Sequence, residues 1–232
     1  MKVFRTSSGP FEERPYYPDN VIEDMCSDSL AEMGFLPREP GKVRIDRFIE
    51  KRFEVPIIYE GLGANVLGFT EFGPKGVEAI HIAEPTTGSR AEERRTSSTL
   101  AHEAGHGLMH AHLFALDLDH RNLFENDPDV TQQRVLCRDE SSGIKSQRRY
   151  DGRWWELQAN RAIGAFLMPK ELFLTFMQPF LQQQGSLGIA ILSYADRAES
   201  ILAAAETFDV NPAVAKIRVN SLFPDAGAQL TL

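Results

Sequence analysis

The chain is poor in cysteine, has no long apolar run and carries no excess of positive charge. Its 232 residues include two cysteines, Cys26 and Cys137. Two thiols so far apart fit a reducing compartment better than a disulfide framework. No stretch of about eighteen apolar residues occurs, so no transmembrane helix is expected. The opening MKVFRTSSGPFEERPYY has no apolar signal-peptide core, and a cytoplasmic protein is expected. Lys and Arg number 25 against 33 Asp and Glu, a formal net charge of −8 with a pI near 5.3. Such a chain has no overall electrostatic footprint for nucleic acid. Repeats and low-complexity tracts are absent too. What is present is a 42% apolar share, enough for a real core.

Residues 1–18 are polar and rich in proline and are expected as an extended arm. Asp19 or Asn20 can cap a helix running to about Met33, with Gly34 as its stop. Val43 to Phe53 is apolar at helical spacing. The period then changes. Val55–Tyr59, Ala64–Thr70 and Val77–Ala83 are short apolar runs separated by glycine-rich turns, the pattern of an antiparallel meander. A polar segment from Ser89 leads to a helix for which Thr96, Ser97 and Ser98 offer cap oxygens. Leu116 to Arg153 is polar and irregular, a length usual for functional loops or disorder, with Val130–Cys137 as an ordered piece. Helical spacing resumes at Trp154 and stops before Pro169. A helix from Pro169 to about Phe180, a hinge at Gln182–Gly185, a long helix over Ile189–Phe208 and a short one over Pro212–Leu222 complete the chain.

The chemistry sits in Thr99-Leu-Ala-His-Glu-Ala-Gly-His-Gly-Leu-Met-His110. His102 and His106 are i and i+4, so on a helix both imidazoles share a face and can grip one Zn²⁺. Glu103 lies beside them, able to reach a water at such an ion without being a ligand. Leu100, Ala101, Ala104 and Leu108 form a stripe that can pack elsewhere.

A catalytic zinc takes three protein ligands and keeps one position open. His110 is ~12 Å from His102 along a straight helix, too far to share an ion. His112 stands where a metzincin has its third histidine, but that class turns on a glycine where this chain has Met109. Cys137 is a further thiolate candidate, or an inhibitory fourth ligand. Glu156 is the favoured third ligand. It opens the helix Trp154-Trp-Glu-Leu-Gln-Ala-Asn160, and a carboxylate from a second helix completes a His₂Glu set. Asn160, one turn on, is placed to orient Glu156 or a ligand histidine. For the donor to a tetrahedral oxyanion, Tyr150, His110, Arg161 and Tyr194 stay open.

Three features together resemble the ImmA/IrrE-type zinc metallopeptidases. They are His102-Glu-Ala-Gly-His106 after a short run of strands, then Glu156-Leu-Gln-Ala159-Asn160 running to Leu167-Met168-Pro169, and last a helix-turn-helix-like end from Ala205 to Arg218. The second matches an E-x-x-A-N-x-F-A-x-x-L-L-M-P signature, with Ala162 where that family commonly has Phe. The gap between the first two is longer than the family's, which makes about 116–153 an insertion. The resemblance spans about residues 43–222. It implies an α+β, zincin-like fold with a small antiparallel sheet, an active-site helix and a C-terminal helical subdomain. The expected division is 1–42 for arm and first helix, 43–180 for the metallopeptidase domain and 181–232 for the helical subdomain. It also implies one Zn²⁺ per chain on His102, His106 and Glu156, with Glu103 as general base. The expected activity is a narrow-specificity endopeptidase acting on a protein, a helix-turn-helix transcriptional repressor often encoded on a mobile element. The alternative is a zincin-fold regulator that binds a partner without cutting it. DNA binding by the C-terminal helices is disfavoured, because Asp196, Glu199, Glu206 and Asp209 offset Arg197, Lys216 and Arg218.

Overall fold

The computed structural model describes residues 2–5, 13–63, 66–113, 133–138, 154–184 and 189–224. Of these, 2, 5, 13, 133–138, 183–184 and 189–190 are described by backbone alone. The fold is α+β. Among the described residues no helix is long and apolar enough to cross a membrane.

The N-terminal arm is extended, as its composition implies, and is also paired. Strand β1 (Lys2–Arg5) runs antiparallel to β2 (Glu13–Tyr16). Helix α1 spans Asp19–Glu32 and starts on Pro18, so Asp19 is its first helical residue rather than its cap. Its carboxylate still sits at the positive end of the helix dipole. The helix stops as expected: Gly34 N–H donates to the Ala31 carbonyl and Phe35 N–H to that of Leu30, the paired bonds of a Schellman closure. Helix α2 follows over Ile45–Phe53, its apolar face (Ile45, Phe48, Ile49) buried.

The sheet is where the expected meander needs correcting. Its order is β3–β5–β4–β6, with β3 at Ile57–Glu60, β4 at Val66–Gly73, β5 at Gly76–Ala83 and β6 at Gln133–Arg138. Strand β4 is antiparallel to both β5 and β6, whereas β3 is parallel to β5. The reason is that both edges of β4 are taken, one by its tight hairpin to β5 and the other by β6. The outer edge of β5 is left for β3, and there β3 can only run parallel. The expected insertion thus supplies a strand to the sheet; its remainder, like Tyr150, lies outside the described residues.

Helix α3 spans Arg90–Met109 and starts well before the Thr96–Ser98 run expected to cap it. Ser89 is the cap, its hydroxyl accepting from Glu92 N–H, and Glu92 reaches back to the amides of Thr86, Thr87 and Gly88 at 2.8, 2.8 and 3.0 Å. This is a capping box extended over the preceding turn. Ser97, Ser98 and Thr99 instead donate to carbonyls one turn back, the usual way a mid-helix hydroxyl is satisfied.

Helix α4 (Trp154–Leu167) and helix α5 (Lys170–Met177) meet at Met168–Pro169 as expected. The supposed hinge and the start of the long helix are instead a strand pair, β7 (Leu181–Gln184) with β8 (Ile189–Leu192). Helix α6 begins only at Tyr194, because Ser193 accepts from Asp196 N–H and sets the cap there. It ends at Thr207, and α7 covers Pro212–Leu222.

One apolar core runs through all three expected segments, from Ile22 and Leu30 through Phe48, Ile80, Leu100 and Phe166 to Phe208 and Val219. Charges lock the C-terminal helices to the rest. Asp209, in the left-handed region at φ 52°, accepts from Lys42 at 2.7 Å, Arg94 at 2.9 Å and Arg90 at 3.2 Å. Arg218 is buried, donates to the Met168 carbonyl and is ion-paired with Glu23 of α1. A guanidinium committed in this way cannot reach a phosphate.

The start of α3 has an acid signature. Amides and hydroxyls of Thr86 and Thr87 hold Glu92 down at about 2. Burial alone would raise Asp209, but Lys42, Arg94 and Arg90 outweigh it and hold it at about 2 as well. Both folded-state values lie below those of an unfolded chain, about 4. Their stabilisation is therefore complete above about pH 4.5 and is lost as pH falls towards 2. Glu92→Gln is expected to lower the thermal midpoint at pH 7, leave it nearly unchanged at pH 2, and cut the proton uptake on unfolding at about pH 3 by up to ~1. Thermal melts followed by circular dichroism across that range check it.

Candidate metal centre

His102, His106 and His110 recur at one-turn spacing and so share one face of α3. That face meets α4 at close range, and Gly105 is the reason. A Cβ there would stand 2.8 Å from Ala162 Cβ and 3.3 Å from Ala159 Cα. With no side chain in the way, α4 lies flat on α3 and brings Glu156 over the histidine pair. Gly105→Ala is expected to destabilise the fold by ~1–3 kcal/mol, the usual cost of overpacking, and to weaken metal binding in proportion. Urea denaturation and a zinc titration of the same sample measure both.

The resulting geometry is compact. His102 Nε2 is 3.0 Å from His106 Nε2, and Glu156 carboxylate oxygens lie 3.3 Å from the first and 3.7 Å from the second. Ligands at ~2.0–2.1 Å in a tetrahedron stand ~3.3 Å apart. The three side chains thus mark out one face of such a tetrahedron. Among the described residues they are the one His, Cys, Asp or Glu group able to converge on an ion. Both histidines are buried and Glu156 is largely so.

Glu103 is fully buried next to them. Its Oε2 accepts from the Thr70 hydroxyl at 2.6 Å, while its Oε1 has no hydrogen-bond partner among the described residues. Burial pushes this carboxyl up to about 7; His102 and Thr70 hold it back, and the charge of Glu156 adds to the rise. Glu156 goes the other way. Burial alone would raise it, but His102 and His106 outweigh that and keep it well below the carboxylate range. For His102, burial alone would lower the ring, and Glu156 with Glu103 turns the net shift upward. Burial lowers His106 and lowers His110 much further, leaving it neutral.

Comparison with protein-family models and with curated proteins gives no match. The functional reading rests on this geometry.

A second layer holds the ligands. Asn160 Oδ1 is 3.1 Å from His102 Nδ1, so Asn160 orients a ligand histidine rather than Glu156. His106 Nδ1 is 3.1 Å from His110 Nδ1, and His110 Nε2 is 2.8 Å from Gln158 Oε1. Other candidates fall away from the centre. His112 is exposed beyond the end of α3 and takes no part in the cluster. Cys137 pairs through its backbone with Gly68 in the sheet, and its side chain lies outside the described residues. Of the proposed oxyanion donors, Arg161 is turned to solvent and ion-paired with Asp19 at 2.7 Å. Tyr194 is 92% exposed, and His110 has both ring nitrogens engaged.

Thr70, Gln158 and the orienting role of His110 were not read from the sequence. His110 had a visible signal, its place one turn beyond His106 on the same stripe. Thr70 and Gln158 had none, since sheet and chain terminus bring their partners to them.

Proposed function

We propose that this protein is a zinc-dependent peptidase with His102, His106 and Glu156 as metal ligands and Glu103 as general base and acid. The observation that carries the reading is the bare, buried Oε1 of Glu103 beside three donors converging at tetrahedral spacing. An unpaired carboxylate oxygen costs free energy where it serves no partner, and a proton carrier needs that atom free. The donor set of two imidazoles and one carboxylate is that of known catalytic zinc sites. Bound Zn²⁺ would supply Lewis acidity there, acidifying water and polarising a substrate carbonyl.

The chain's own groups account for the rest. Thr70 holds Glu103 by one oxygen, so the other is aimed and idle. That oxygen takes a proton from the attacking water and passes it to the departing amine. A carboxyl titrating at about 7 does both near neutral pH. Asn160 and His110 hold the two imidazoles in register while this happens.

The substrate we propose is a protein, a helix-turn-helix repressor cut at few sites in the cytoplasm, on the strength of the motif resemblance. The C-terminal helices serve in packing or substrate docking. The burial of Arg218 and the pairing of Asp209 support that over duplex binding. Co-expression with a repressor encoded beside this chain tests the reading. A clipped repressor, dependent on Glu103, supports it. An intact repressor that co-purifies favours the binding regulator instead.

A further inference from the structure

His110 and Gln158 are buried polar residues that the proposed chemistry leaves unused. The hydrogen bonds that run through them end on a group whose role is fixed. Pro15, on β2, offers a carbonyl that can only accept. Gln158 Nε2 donates to it at 3.0 Å, which turns Gln158 Oε1 towards His110. His110 Nε2, 2.8 Å from that oxygen, must then carry a proton. A neutral imidazole has one N–H, so His110 Nδ1 is bare and accepts from His106 Nδ1 at 3.1 Å. His106 in turn has its proton on Nδ1. Its Nε2, the atom facing His102 and Glu156, presents a lone pair, as a metal ligand must.

We propose that His110 and Gln158 are positioning residues that make strand β2 part of the metal centre. The Pro15 carbonyl, acting across three hydrogen bonds, selects the tautomer of His106 that can bind a cation. The inference rests on the metal reading above. It adds that cation affinity is set partly by the docking of the N-terminal strand, far from the ligands in sequence. His102 has a shorter support, since its Nδ1 partner Asn160 sits at the exposed edge of α4. Of the two ligand rings, His106 is the one tied to the arm.

Two readouts on the full chain test this: zinc affinity by competition with a chromophoric chelator, and the ¹⁵N shifts of the imidazole nitrogens in metal-free protein. The parent should show His106 protonated on Nδ1 and His110 on Nε2. His110→Leu should weaken zinc binding ~10–100-fold, the usual effect of removing an outer-layer partner, while the metal-free protein melts close to the parent. His110→Asn, whose side-chain oxygen falls near the lost Nδ1, should restore affinity to within a few-fold. Gln158→Leu should mix the His106 tautomers. The inference is overturned by an Nε2-protonated His106 in the parent, by parent-like affinity in His110→Leu, or by His110→Asn binding as weakly as His110→Leu. Should His110→Leu not fold, His110→Asn and the parent's shifts decide. A parent that binds no zinc overturns the metal reading instead; the shifts, read without metal, still decide the tautomer.

Discussion

Glu103→Gln should leave zinc bound and lower peptide hydrolysis by ~10²–10⁴-fold, the range set by loss of a positioned acid–base group. The substitution is nearly isosteric. Thr70 can still donate, now to the amide oxygen, so the local packing holds. What disappears is a group able to accept a proton and return it. Stability should shift in the opposite sense. The folded-state value of Glu103 is raised, to about 7, above the unfolded-chain value of about 4. Its contribution in the metal-free protein is therefore best at low pH and is lost as pH rises through about 7. Metal-free Glu103→Gln should accordingly be more stable than the parent at pH 8, with the gap closing towards pH 4. Cleavage assays, zinc content and pH-dependent melts on one preparation give all three readings. A Glu103→Gln protein that cuts at the parental rate would remove Glu103 from the mechanism.

Glu156→Ala should take zinc from about one per chain towards none in protein passed over a desalting column. The carboxylate supplies the only negative charge among the three converging donors. Without it, two imidazoles whose nitrogens lie 3.0 Å apart face each other across a buried space with nothing to balance a dication. Elemental analysis of parent and variant, read for iron as well as zinc, checks it. Zinc retained in the variant would move the third ligand elsewhere, with Cys137 the first to test, since His112 is exposed past the helix end. A parent that takes up no metal after reconstitution would remove the peptidase reading and favour the binding regulator.

The parts legible in the sequence are those encoded locally. One-turn spacing put His102 and His106 on one face, and the Trp154 helix carried Glu156 and Asn160 on another. Pro169 and Pro212 marked helix boundaries that the structure keeps. The misreadings share a different cause. The hydroxyl run at Thr96–Ser98 looked like a cap because the true cap, Ser89, works through Glu92, whose contacts reach across a turn. Ile189–Leu192 joined the helix pattern because its strand partner is set by pairing, not by period. Strand β3 was given to β4 because chain order does not reveal that β6 had taken the place. Thr70 and the relay to Pro15 were invisible for the same reason: each joins residues that only the finished fold makes neighbours.

Helix α3 is held at its start by Asp209 and at its end, through His110, by Pro15. All four residues of the proposed chemistry are already present in a nascent chain that has emerged as far as Leu167. Such a chain still lacks the acid that gathers Lys42, Arg90 and Arg94, and the Arg218 that fastens α1. Contacts between residues this distant in sequence are slow to form. The centre is therefore assembled late, after the C-terminal helices have been made. The unfinished protein carries every reacting group without the power to use them, and a cut that frees either end would return the mature one to that state.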